Sequence, residues 1–299
     1  MEKKFLLVTG ATGNQGRALI QALIADGRDV FHILALTRDK TSAAAQRLAA
    51  SSDTITLVQG SLDNTEAVFE TTKAATDKQP IWGVFSMQQS GNSKSAALIE
   101  EKQGQALVDS ALAAGVEHFV YTSVDRNGDN PTDVPYFASK HRLEHYLIDK
   151  AKGTKMTWTI LRPVSFMQNF EGGTAKVYAE MLRLTLKSKP IQLVDTRDVG
   201  VFAAKALTDP EAHSGQIMSL AGDELSFDEL ASLYIEKTGS KIPTVPSPVA
   251  RLVLLLSKDL RVMFTFFAEK GYGADMEQMR ALQPGLRSFG SWLESMQKK

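Results

Sequence analysis

Short apolar, β-branched runs alternate with segments of helical spacing through roughly the first half of the chain, and few architectures accept that order. "KFLLVTG", "DVFHILALTR", "ITLVQGSL", "IWGVFSM", "VEHFVYTSV" and "MTWTILRP" read as strands. Between them, "GRALIQALIADG", "TSAAAQRLAAS", "TEAVFETTKAA", "IEEKQGQALVDSALAAG" and "SKHRLEHYLIDKAK" read as helices. Such alternation through short connections implies right-handed crossovers and a parallel sheet covered on both faces. The predicted fold class is α/β, a doubly wound parallel sheet whose ligand sits beyond the carboxyl ends of its strands.

The 299 residues leave room for more than that sheet. A dinucleotide-binding domain is expected over residues 1–162 and a smaller, mostly helical substrate lobe over 163–299, interleaved with the sheet. In the second part "PIQLVDTRDVGVFAAKAL" and "FDELASLYIEKTG" read as a short strand and two helices.

"VTGATGNQG" follows the first strand and opens the first helix, with Gly10, Gly13 and Gly16 at three-residue spacing. That context turns a weak glycine pattern into a dinucleotide-binding one. Gly10 permits the turn, Gly13 lets the backbone approach a pyrophosphate, and Gly16 lets the helix pack close to the strand. Thr12, Asn14 and Gln15 complete the expected cofactor loop, and the helix turns its positive end to the phosphates.

The tip of the second strand discriminates between cofactors. An acid there accepts from the adenosine ribose, whereas a base pairs with a 2′-phosphate. Here the sequence reads "LALTRDK": Arg38 occupies the tip and Asp39 comes one step late, so NADP (as NADPH) is favoured over NAD. Arg38 as a plain solvated loop residue is the competing reading. Asp63 with Leu62, at the end of the third strand, is placed to meet the adenine, and Asp63-Asn64 would equally serve as the cap of the next helix.

"VYTSVDRNGDNPTDVPYFASKHRLEHYL" holds the most reactive set. Tyr136 and Lys140 lie four apart and so share one helical face. A nearby ammonium lowers a phenol's pKa, which suits Tyr136 to protonate a carbonyl under reduction. Lys140 can also bind the nicotinamide ribose, and Ser123 can hold the substrate oxygen. The plainer alternative makes Tyr136 a surface aromatic, Lys140 a solvated charge and Ser123 a strand-end residue.

Composition narrows the remaining classes. With 34 basic and 34 acidic residues the formal charge is zero, so neither nucleic acid nor an anionic membrane is an expected partner. Cysteine is absent, which removes disulfides and thiolate chemistry. "MEKKFLLVTG" does not read as a secretory signal and "ARLVLLLS" is too short to span a bilayer, so a cytoplasmic location is expected. His118, His141 and His145 show no further ligand nearby in sequence, and no metal site is expected. "RLVLLLSKDLRVMFTFFAEKGY" suggests either core or an apolar cover over a hydrophobic substrate.

Together "VTGATGNQG", "LTR", "VYTSV", "VPYFASKHRLEHYL", "TILRPVSFMQNF" and "LAGDELSFDELA" resemble the NmrA-like branch of the atypical short-chain dehydrogenases, from the first strand to about Thr238. The resemblance implies an NAD(P)-binding Rossmann domain with a small C-terminal lobe. Ser86 and Pro163 are then expected beside the cofactor, and Met87, Phe166 and Asn169 around the substrate, the last two alternatively as links between lobes. Some members of this family are reductases of small unsaturated molecules; others are dinucleotide sensors acting through a protein partner. Tyr136 beside Lys140 favours catalysis, because sensor-type members generally lack that tyrosine. The asparagine that many short-chain dehydrogenases carry on the fourth helix is missing, with Gln103 a possible substitute.

Overall fold

A computed structural model describes residues 3–88 and 93–297. The first half runs β1 (Lys4–Val8), α1 (Asn14–Asp26), β2 (Phe31–Thr37), α2 (Ala43–Ala49), β3 (Ile55–Gln59), α3 (Thr65–Ala75), β4 (Ile81–Ser86), α4 (Lys94–Ala113), β5 (His118–Thr122), α5 (Pro135–Ala151) and β6 (Thr157–Pro163). All six strands and five helices read from the sequence are therefore present. The second half runs β7 (Ser165–Phe166), a 3-10 turn (Met167–Phe170), α6 (Ala175–Leu186), β8 (Ile191–Val194), α7 (Thr196–Thr208), α8 (Pro210–His213), β9 (Gln216–Leu220), β10 (Asp223–Leu225), α9 (Phe227–Thr238), α10 (Ser247–Leu256), α11 (Lys258–Glu269), α12 (Met276–Leu282) and α13 (Phe289–Gln297).

The main sheet has the order β3-β2-β1-β4-β5-β6-β9, every pair parallel. Every residue of β4 and β5 is buried, which is why those strands read as continuous apolar runs rather than alternating ones. The order reverses between β1 and β4, so the crevice of a doubly wound sheet opens at their carboxyl ends. β9 is not among the strands read from the sequence: "QIMSL" is short and exposes its first two residues.

Residues past 163 serve both parts of the molecule. α7 lies along α1 and β9 extends the main sheet, whereas β10-β8-β7 form a small second sheet. Above it sits an aromatic core in which Phe137 meets Phe266, Phe170 meets Phe289, and Phe289 stacks on Trp292. Phe264, Phe266 and Phe267 of α11 are buried in that core, so packing accounts for their apolarity; Leu255 and Leu256 of α10 are instead exposed. Among the described residues no helix is long and apolar enough to cross a membrane.

Candidate active site

The glycine turn follows β1 into the crevice. Gly10 has φ +59°, a left-handed conformation that favours glycine. A Cβ on Gly16 would fall 2.4 Å from the Gly10 carbonyl oxygen, so glycine there closes the turn against its own start as well as packing the helix. Gly13 caps α1 without a side-chain hydrogen bond, and no acidic residue stands in the first turn. The free N–H groups and positive end of α1 therefore meet the crevice without a local anion. Thr12 is half-buried and Asn14 exposed on this turn. Met87 lies over it, its Sδ 3.3 Å from the Cβ position of Gly10, and its backbone is tied to the end of β1 by Thr9 Oγ1, which accepts from Met87 N at 2.7 Å.

At the tip of β2, Arg38 is exposed. The Asp39 carboxylate is occupied locally, accepting from Thr41 N at 2.8 Å and Thr41 Oγ1 at 2.6 Å, and the hydroxyl bond foremost holds it below the usual aspartate range. It closes a turn, which leaves Arg38 as the charged group free of that turn. Of the Asp63-Asn64 pair, Asn64 is the cap of α3, accepting from Ala67 N. Asp63 instead accepts from Ser61 and from Gln103 Nε2, each at 2.8 Å.

Gln103, the possible substitute for the missing asparagine, is engaged with Asp63. One turn earlier on α4, Glu100 reaches Lys140. Its Oε1 lies 2.7 Å from Lys140 Nζ, and both side chains are buried, 1% and 4% exposed. No sequence signal marked Glu100, because an acid on an exposed-looking helix reads as solvated until α4 is packed along α5. Lys140 Nζ also donates to Thr122 O at 3.3 Å and sits 5.4 Å and 5.3 Å from the ring centroids of Tyr121 and Tyr136. Burial disfavours the ammonium, yet Tyr121, Glu100 and Tyr136 together raise its pKa above that of an ordinary lysine. Lys140 is charged and buried, not the solvated residue of the plainer reading.

Ser123, just past β5, is buried, and so are Ser86 at the end of β4 and Pro163 at the end of β6. Gln88 Nε2 donates to Ser86 Oγ at 2.8 Å. Gln88 Oε1, Tyr121 OH and Ser123 Oγ are buried without a hydrogen-bond partner. Leaving such groups unmade costs about 1–3 kcal/mol each, a cost that a bound polar ligand relieves. Thr122 joins this region to the glycine turn: its Oγ1 donates to Gln15 Oε1 at 2.7 Å while its carbonyl accepts from Lys140. Turn and lysine are therefore separated by one residue. Tyr136 begins α5 half-buried, with Phe137 behind it.

The stretch after β6 is tied to the start of α7. Gln168 Nε2 donates to Asp195 Oδ1 at 2.8 Å, the carboxylate that caps α7, and Asn169 Nδ2 donates to Ser165 Oγ at 3.3 Å. Phe166 is partly buried against the main core. Tyr272 comes from the C-terminal lobe to the same region, its pKa driven up foremost by burial. Asp125 holds that segment, accepting from Gly273 N at 2.8 Å. Behind α5, Glu144 takes Arg162 and Arg126 together: Arg162 Nε and Nη2 donate at 3.0 and 2.6 Å, Arg126 Nη1 and Nη2 at 3.1 and 2.8 Å. A surface concavity lined by Gly27, Phe31 and Thr54 lies at the amino ends of β2 and β3, away from all of these groups.

Comparison with known proteins follows these landmarks. The profile of the NmrA-like family matches residues 2–289, well beyond Thr238, where the sequence motifs give out. A relative from Malbranchea aurantiaca, the NmrA-like family domain-containing oxidoreductase malD, is 24% identical over 262 residues, covering 80% of this chain and 74% of that protein. The structure of NmrA, a negative transcriptional regulator, superposes with a TM-score of 0.72 at 20% identity over 98% of this chain and 95% of that one. Triphenylmethane reductase of Citrobacter sp., crystallised with NADP(H), gives a TM-score of 0.70 at 19% identity over 98% and 99% of the two chains. The chain belongs to the NmrA-like family.

Proposed function

We propose that this NAD(P)-dependent oxidoreductase is an NADPH-dependent reductase of a small, apolar carbonyl, quinone, enone or imine, with Tyr136 as the proton donor. The observation that carries the reading is the continuous link from the glycine turn through Gln15 and Thr122 to Lys140, with Tyr136 one helical turn away. The relatives named oxidoreductases and the fold shared with an NADP(H)-bound reductase support it.

The residues present suit a nicotinamide dinucleotide. The uncapped start of α1 suits its diphosphate, Arg38 a 2′-phosphate, and the unpartnered Ser123, Tyr121 and Gln88 atoms a polar ring substituent or substrate oxygen. Bound NADPH supplies a hydride to an electrophilic carbon. An ammonium has three donors; Lys140 gives one to Thr122 O and faces Glu100 Oε1 as an ion pair. From there the ammonium can serve the nicotinamide ribose or the Tyr136 hydroxyl. Glu100 keeps Lys140 charged in a buried place, Tyr136 passes its proton to the substrate heteroatom, and Ser123 Oγ holds that heteroatom in position. Phe166 and Asn169 bound the pocket from the second lobe.

The test follows nicotinamide absorbance while purified protein and NADPH meet a panel of quinones, enones and imines. Turnover should fall by about a hundredfold or more in Tyr136→Phe, with NADPH affinity unchanged. Tight NADPH binding with no turnover on any compound would instead support a dinucleotide sensor acting through a protein partner.

A further inference from the structure

His141 and His145 stand one turn apart on α5, and the sequence offers them no third ligand. The fold brings one from the preceding loop. His141 Nε2 and His145 Nε2 are 2.9 Å apart; Asp129 Oδ2 is 3.2 Å from His145 Nε2 and Asp129 Oδ1 3.5 Å from His141 Nε2. With metal–ligand bonds of about 2.0–2.1 Å, adjacent ligand atoms of a tetrahedral zinc ion stand about 3.3–3.4 Å apart. The two imidazole nitrogens and the Asp129 carboxylate approach that spacing, one ligand atom from each residue lying within 4.8 Å of the others. We propose that Asp129, His141 and His145 form a binding site for a zinc-class divalent cation.

The surroundings fit such a site. Asp129 Oδ1 accepts from Arg126 Nη2 at 2.7 Å and from Arg162 Nη2 at 2.8 Å, which fixes the carboxylate and leaves Oδ2 facing His145. Ligating carboxylates are ordinarily held by outer partners in this way. The two guanidiniums do not present a bare positive field, because Glu144 is bonded to both. Two imidazoles and one carboxylate are a common zinc donor set, with water in the fourth place; Asp129 and His145, 57% and 51% exposed, leave solvent access there. The ion would clasp the loop before α5 to the helix that carries Tyr136 and Lys140. The proposal does not depend on the reductase reading, since none of these three residues was given a part in it.

The experiment uses the full chain without a histidine tag, stripped with chelator. Co2+ is titrated while its visible absorption is followed, Zn2+ is then added in competition, and bound zinc is counted after dialysis. One ion per chain is expected, with a tetrahedral Co2+ spectrum that Zn2+ abolishes. His145→Ala, an exposed position whose loss leaves the fold intact by circular dichroism, should weaken binding by about a hundredfold or more; His141→Ala should do the same. Absence of stoichiometric zinc, or equal binding by wild type and the His141→Ala/His145→Ala double variant, would overturn the proposal and leave the three groups as a hydrogen-bonded cluster.

Discussion

At Lys140 a single ammonium meets a carboxylate, a carbonyl and two aromatic faces, of which only Tyr136, four residues away, is near it in sequence. Its spacing from Tyr136 was legible; its partner Glu100 was not, because helical spacing describes one helix and Glu100 belongs to another. His118 illustrates the opposite case. It looked unremarkable in the sequence, yet it is buried in β5, its Nδ1 2.8 Å from Thr157 Oγ1, and burial above all pushes its pKa down to about 4. The unfolded chain takes up that proton near pH 6.5, whereas the folded one resists until about pH 4. Stability attributable to His118 is therefore present at neutral pH and lost as pH falls through that window, by about 1.4 kcal/mol per unit. Denaturant unfolding at a series of pH values should give His118→Gln a shallower acid limb than wild type, and parallel limbs would refute this assignment.

Among the elements, α5 carries several tasks on different faces. Tyr136, Lys140 and Glu144 repeat every four residues, the latter two turned inward, while His141 and His145 fall on the neighbouring, more exposed face. The same logic of faces governs α1 and α7. A Cβ on Gly200 of α7 would lie 2.4 Å from the Ala18 carbonyl carbon and 2.6 Å from Leu19 N, both backbone atoms of α1. No side-chain adjustment relieves such a contact, so the helices must separate. Gly200→Ala should cost about 1–3 kcal/mol in urea unfolding. It should also weaken NADPH binding, since α1 would shift its phosphate-facing end; unchanged stability would mean that the two helices are not in the contact described.

For the whole molecule, segments far apart in the chain are tied together past the ends of the strands, as where Asp125 after β5 accepts from Gly273 N. A ligand that binds only the folded chain stabilises it by about 2.7 kcal/mol at a hundred times its dissociation constant. Thermal unfolding should therefore shift upward by several degrees with saturating NADPH, and by less with the same concentration of NADH. Arg38→Ala should bring the two shifts together by lowering that of NADPH. Equal shifts in the wild-type protein would remove Arg38 as the basis of cofactor preference.

The order of strands and helices, the glycine turn and the Tyr136–Lys140 spacing are local patterns, carried by periodicities of two and of three to four residues, and the sequence alone determined them. β9 escaped because a short strand added to the end of a sheet has no periodicity of its own to distinguish it from a loop. The partners of the charged residues were decided only by tertiary structure: Glu100 for Lys140, Glu144 for Arg126 and Arg162, and Asp129 for the two histidines. A buried charge needs a counter-charge within a few ångströms, and that distance is set by how helices and loops pack rather than by their separation along the chain.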